Sequence, residues 1–155
     1  MRIFSLLICL FASTNVYADD QCVMNANSIK PLVIDKSLTS YSAWDDANKE
    51  LRSVLSNGDM LYVKYWACEH YGLNAQLLIP TFEWNAASLE KRISWLSSQV
   101  LSKRDVALLD AALKKHGQIQ PNDKIEIEGT NYDEFNLEIN SVNNLTIITI
   151  EYYYG

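Results

Sequence analysis

The run that ends at Tyr154 leaves this chain few architectures. Leu145 to Tyr154 reads LTIITIEYYY, β-branched and aromatic almost throughout, with Glu151 its single charge. Such a run is a strand. Neither of its alternating sets is polar, so it belongs inside a sheet rather than at an edge. Asn143-Asn144 tolerates the positive φ angles of a tight hairpin turn, which places an antiparallel neighbour immediately before it.

That neighbour is legible. Phe135, Leu137 and Ile139 alternate with Asn136, Glu138 and Asn140, and Ile125 and Ile127 alternate with Lys124, Glu126 and Glu128. Residues 60–70 and 73–79 read as a hairpin around Tyr71-Gly72. Leu61, Val63, Tyr65 and Ala67 point one way; Tyr62, Lys64, Trp66, Cys68 and His70 point the other.

Three stretches carry helical spacing. In 42–56, Trp44, Ala47, Leu51, Val54 and Leu55 share a face; Ser42 is a candidate cap, Asp45 follows three residues on, and Asn57-Gly58 is a stop. Asn85 caps a second helix with Leu89, Ile93, Leu96 and Val100 inward. Ser102 and Asp105 open a third, with Val106, Leu109 and Leu113 as its apolar stripe and Gly117 as its end. These elements predict an α+β domain: an antiparallel β-sheet of about five or six strands with three helices packed on one face.

Residues 1–18 read as a cleavable export signal. Arg2 is the basic n-region, Ile3 to Ala12 is apolar apart from Ser5, and Val16-Tyr17-Ala18 puts small residues at the cleavage positions. The apolar run falls short of the ~20 residues that span a bilayer. The expected product is a single domain, 19–155, in the periplasm or secreted, with no membrane insertion after cleavage. Cys9 leaves with the signal. Cys22 and Cys68 remain, and an even count in an oxidising compartment predicts one disulfide. Closing that loop would stabilise the domain by about 4 kcal/mol in the chain-entropy picture; two free thiols are the alternative.

Charge narrows the partners. Arg2 is the one charged residue of the signal, so the 13 basic residues fall to 12 against 19 acidic, a net charge of −7. That charge argues against nucleic acid and anionic lipid as partners, and a basic protein fits. From Ile119 to Gly155 seven acidic residues face one lysine: Asp123, Glu126, Glu128, Asp133, Glu134, Glu138 and Glu151. The first six are candidate partner-binding residues, since a surface of one sign speeds encounter with the other; ordinary solubility is the plainer account of the same charges.

Motifs for chemistry are missing. The two histidines lie in separate elements without metal-ligand spacing, so no metal and no cofactor is expected. No Gly-x-Ser-x-Gly elbow or phosphate-binding glycine loop is present. Glu126, Glu128 and Glu138 as glycosidase carboxylates would need burial that strand alternation denies them. The second candidate surface is aromatic: Tyr62, Lys64, Trp66 and His70 share a predicted strand face, where Tyr and Trp suit protein or sugar contact. A segment held by Cys22 could cover that face instead.

The whole organisation (short, exported, acidic, one disulfide) resembles small exported immunity proteins and lysozyme inhibitors of Gram-negative bacteria. That resemblance implies a non-enzymatic inhibitor or immunity protein that blocks a basic cell-wall hydrolase or toxin by steric and electrostatic occlusion. The alternatives are a periplasmic small-molecule or glycan binder using the aromatic face, and a small hydrolase acting through His70.

Overall fold

A computed structural model describes residues 28–67, 70–80 and 85–155. Cys22 and Cys68, and with them the expected disulfide, lie outside the described residues, as do the signal segment, Phe82 and Trp84. No described helix is long and apolar enough to cross a membrane.

Seven strands form one antiparallel sheet: β1 (Thr39–Asp45), β2 (Glu50–Leu55), β3 (Met60–Ala67), β4 (Tyr71–Ile79), β5 (Lys124–Glu126), β6 (Glu134–Val142) and β7 (Leu145–Tyr154). Their spatial order is β1-β2-β3-β4-β7-β6-β5. Two helices, α1 (Ala86–Val100) and α2 (Lys103–His116), fall between β4 and β5 in the chain. The final strand therefore returns to pair with β4 on one side and β6 on the other.

This architecture corrects the expectation of five or six strands and three helices. The stretch 42–56 is no helix; it is the second half of β1, a turn and all of β2. Asp45 does not support a helix cap. Its Oδ1 accepts from the backbone of Ala47 (3.0 Å) and Asn48 (3.2 Å), and its Oδ2 from Asn48 Nδ2 (2.8 Å). Lys49 then turns the chain back with φ +54°. The supposed cap Ser42 instead meets Ser53 across the two strands, Oγ to Oγ 2.7 Å. Asn57-Gly58 is the next hairpin turn, with Gly58 at φ +89°. Helical spacing misled because Ser53 occupies an inward strand position between Leu51 and Leu55. With a hydroxyl there, the period of two disappears from the apolar pattern.

The two helices begin at side-chain caps. Asn85 Oδ1 accepts from the Ser88 amide (3.0 Å), and Ser102 Oγ accepts from the Asp105 amide (3.2 Å) while donating to Asp105 Oδ2 (2.7 Å). Gly117 at φ +86° ends α2. α1 inserts Leu89, Ile93 and Leu96, and α2 inserts Leu109, into a core built from Leu61, Val63, Leu73, Leu77, Phe135, Leu137, Ile148 and Ile150. All eight lie on one side of the sheet by register. Arg92 of α1 donates to Asp59 beside the β2–β3 turn (3.0 Å). Trp44 of β1 packs toward the same side, its ring centroid 6.4 Å from that of Tyr65.

An aromatic cluster closes this side near α2. Tyr132 stacks on Tyr152 at 4.2 Å, and Phe135 meets both rings edge-on. The Tyr132 hydroxyl donates to Asp105 Oδ2 (3.1 Å), and burial together with the nearby Asp105 charge pushes that phenol up to about 12. Phe135 is 1% exposed. Phe135→Ala is expected to cost about 3–5 kcal/mol of unfolding free energy in urea denaturation. Val142→Ala on the exposed end of the same strand should stay within about 0.5 kcal/mol.

Candidate partner-binding face

The side of the sheet opposite the helices is the candidate site. Strand alternation in β3 sends Tyr62, Lys64 and Trp66 there, away from Leu61 and Val63. Register then fixes their neighbours. One row runs Trp66–Gly72–Tyr153–Glu134; the next runs Glu50–Lys64–Asn74–Glu151–Asn136–Glu126; a third runs Arg52–Tyr62–Gln76–Thr149–Glu138–Lys124. Tyr62, Lys64 and Trp66 and three of the acidic candidates, Glu126, Glu134 and Glu138, thus share a single surface, at opposite flanks of it.

On the β2–β3 flank the polar groups hold one another. Glu50 is 6% exposed although it sits on the uncovered side. Its carboxylate accepts from Arg52 Nη2 (2.8 Å), Tyr62 OH (3.0 Å) and Lys64 Nζ (3.2 Å). These donors, Arg52 first, then Lys64 and Tyr62, hold the Glu50 carboxyl below its ordinary value. Tyr62 and Lys64 are therefore bound up in organising this flank. Trp66 acts through its ring instead. The indole lies on Gly72 of β4, occupying the place where a Cβ would stand. Any larger residue at 72 must push the ring off the sheet. Tyr153 flanks the same glycine on β7.

The β5–β6–β7 flank carries Glu126, Glu134, Glu138 and Glu151. Lys124 pairs with Glu138 (2.9 Å). Its ammonium is raised above the ordinary lysine value by that hydrogen bond and charge, with Glu134 and Glu151 adding to it, so the local potential is negative. Glu126 and Glu151 have no ion-pair partner among the described residues.

Three other acidic candidates serve elsewhere. Asp123 Oδ2 accepts from the Gln120 amide (2.6 Å) and meets His116 Nε2 (3.0 Å), and the backbone hydrogen bond leads in lowering its pKa. Glu128 reaches Lys115 of α2 (3.3 Å), both side chains exposed. Asp133 accepts from the Gly155 amide (2.8 Å). His70 lies past the end of β3, beside Gly155. No group of three or more His, Cys, Asp or Glu among the described residues could hold a metal ion.

A further row went unrecognised in the sequence. Tyr41, Val54, Met60, Leu78 and Ile147 lie side by side across five strands. Tyr41 is 58% exposed and Met60 40%. A hairpin reading of 42–56 would have paired Tyr41 with Val54 and revealed it. The face is thus banded: apolar at one end, polar across the middle with acid on one flank, aromatic at the other end.

No protein-family model, no curated protein and no solved structure matches this chain.

The Glu50 network makes a pH prediction. A carboxyl lowered on folding contributes stability that is complete above its ordinary value of 4.5 and is lost as pH falls through the lowered value. Glu50→Gln removes that dependence. The difference in urea midpoint between wild type and variant should therefore shrink from about pH 5 to about pH 3; a constant difference would show that the network does not select the charged form.

Proposed function

We propose that this chain is an exported, non-enzymatic binding protein whose uncovered sheet face occludes a basic protein, of the cell-wall hydrolase or toxin class. The carrying observation is that Glu126, Glu134, Glu138 and Glu151, drawn from three strands, stand together on a surface the helices leave bare. An acidic flank raises the encounter rate with a cationic partner, and rings at the far end offer rigid contact area. Export rests on the signal-like residues 1–18 and would place the encounter in the periplasm or outside the cell.

A glycan-binding reading draws on one specific observation, the Trp66 indole laid on Gly72 with Tyr153 beside it, since a ring held against the sheet suits stacking by a sugar.

The experiment is inhibition of a panel of basic muramidases on cell-wall suspensions, with association rates at low and high salt. Wild type should inhibit at least one enzyme. The triple variant Glu126→Lys, Glu134→Lys, Glu151→Lys should associate about tenfold more slowly or worse, with most of the salt dependence gone. Undiminished association by that variant would remove the acidic flank from the interface. If no enzyme is inhibited while muropeptides quench tryptophan emission, and Trp66→Ala abolishes the quenching, the glycan reading replaces this one.

A further inference from the structure

The two edges of the sheet are built differently. β5 is a three-residue edge bearing Lys124 and Glu126, closely preceded by Pro121 and lying against α2. Shortness, charge, proline, cover and bulges are the usual means of blunting an edge; of these, β1 carries only an irregularity at its start. β1, at the other edge, has seven residues and pairs with β2 alone among the described residues. Thr39 to Trp44 is uncharged, without lysine or proline. Asp45, its single charge, turns its carboxylate into the Asp45–Asn48 turn. One irregularity, between Thr39 and Tyr41, interrupts its pairing with β2. An outward row of backbone donors and acceptors thus stands exposed in an otherwise acidic chain.

We infer that β1 is a self-association edge, pairing antiparallel with β1 of a second copy about a two-fold axis at Ser42. The strand is self-complementary in that register. Tyr41 meets Ala43 of the second copy and Ser42 meets Ser42, so no like charges oppose one another. Tyr41 and Ala43 share a face of the sheet, as pairing requires; beyond Tyr41 the irregularity turns Thr39 to the face opposite that of Asp45, so the contact is confined to the middle of the strand. Charge favours a second copy over a charged peptide, because a neutral edge gives a peptide nothing for its charge. The acidic flank begins at β7, four strand spacings or about 19 Å from β1. That distance exceeds the screening length of about 8 Å at physiological salt, so the acidic flanks of two copies do not oppose the contact. A strand edge is narrower than the roughly 1,200–2,000 Å² of a stable complex, so this dimer forms and dissociates with concentration. The inference goes beyond the binding function proposed above and does not depend on it.

Sedimentation velocity over a concentration series tests it on the purified chain. Wild type should shift from one to two chain masses as concentration rises and return on dilution, which a disulfide-linked dimer would not do. Ser42→Lys and Ser42→Glu each place like charges opposite one another on the axis, and each alone should remain monomeric. An equimolar mixture of the two should regain the dimer. A wild type that stays monomeric into the millimolar range overturns the proposal. So does a mixture that stays monomeric while both variants keep the wild-type circular dichroism spectrum; if either variant loses that spectrum, Ala43→Lys and Ala43→Glu repeat the mixing test with the same required outcome.

Discussion

Everything in this structure depends on covering one face of the sheet and leaving the other to hold itself. Both helices come from a single excursion between β4 and β5, and their apolar stripes join one core with the strands. Among the described residues the far face receives no helix, and side chains lying flat along the strands hold it. The buried carboxylate of Glu50 with its three donors and the indole that fills the gap over Gly72 are the two devices that do this. Each replaces a missing layer locally, one with charge-assisted hydrogen bonds and one with ring area.

The same division sorts the charges. Positive groups on β2 and β3 are consumed by Glu50, whereas Glu126 and Glu151 stand without an ion-pair partner among the described residues. The surface therefore keeps a net negative flank even though cations lie only a few strands away. Acidic residues that a sequence would group by proximity are divided by backbone geometry: Asp123 fixes a turn, Asp133 holds the Gly155 amide past the end of β7, and Glu128 reaches toward a helix.

Legibility in the sequence followed how local each signal was. Asn85, Ser102 and Gly117 mark helix ends because caps act within three residues, and alternation alone put Tyr62, Lys64 and Trp66 on one side of β3. The stretch 42–56 was misread because Ser53, buried between Leu51 and Leu55, broke the apolar alternation of β2, and its partner Ser42 lies on another strand. Rows across the sheet demand register, which depends on pairings far apart in the chain. Neither the apolar band from Tyr41 to Ile147 nor the fit of Trp66 over Gly72 could be found without it. Cys22 and Cys68 stand outside the described residues, so the expected bridge belongs to the sequence reading alone.

The hydroxyl of Tyr132 has a consequence for the binding proposed for this face. It joins the loop between β5 and β6 to Asp105, which is already fixed by the cap of α2, while its ring is clamped on Tyr152. The loop that delivers the chain into the acidic strand β6 is thereby set by the fold itself. A surface held this way surrenders little conformational freedom on contact, so more of the attraction between opposite charges survives as affinity.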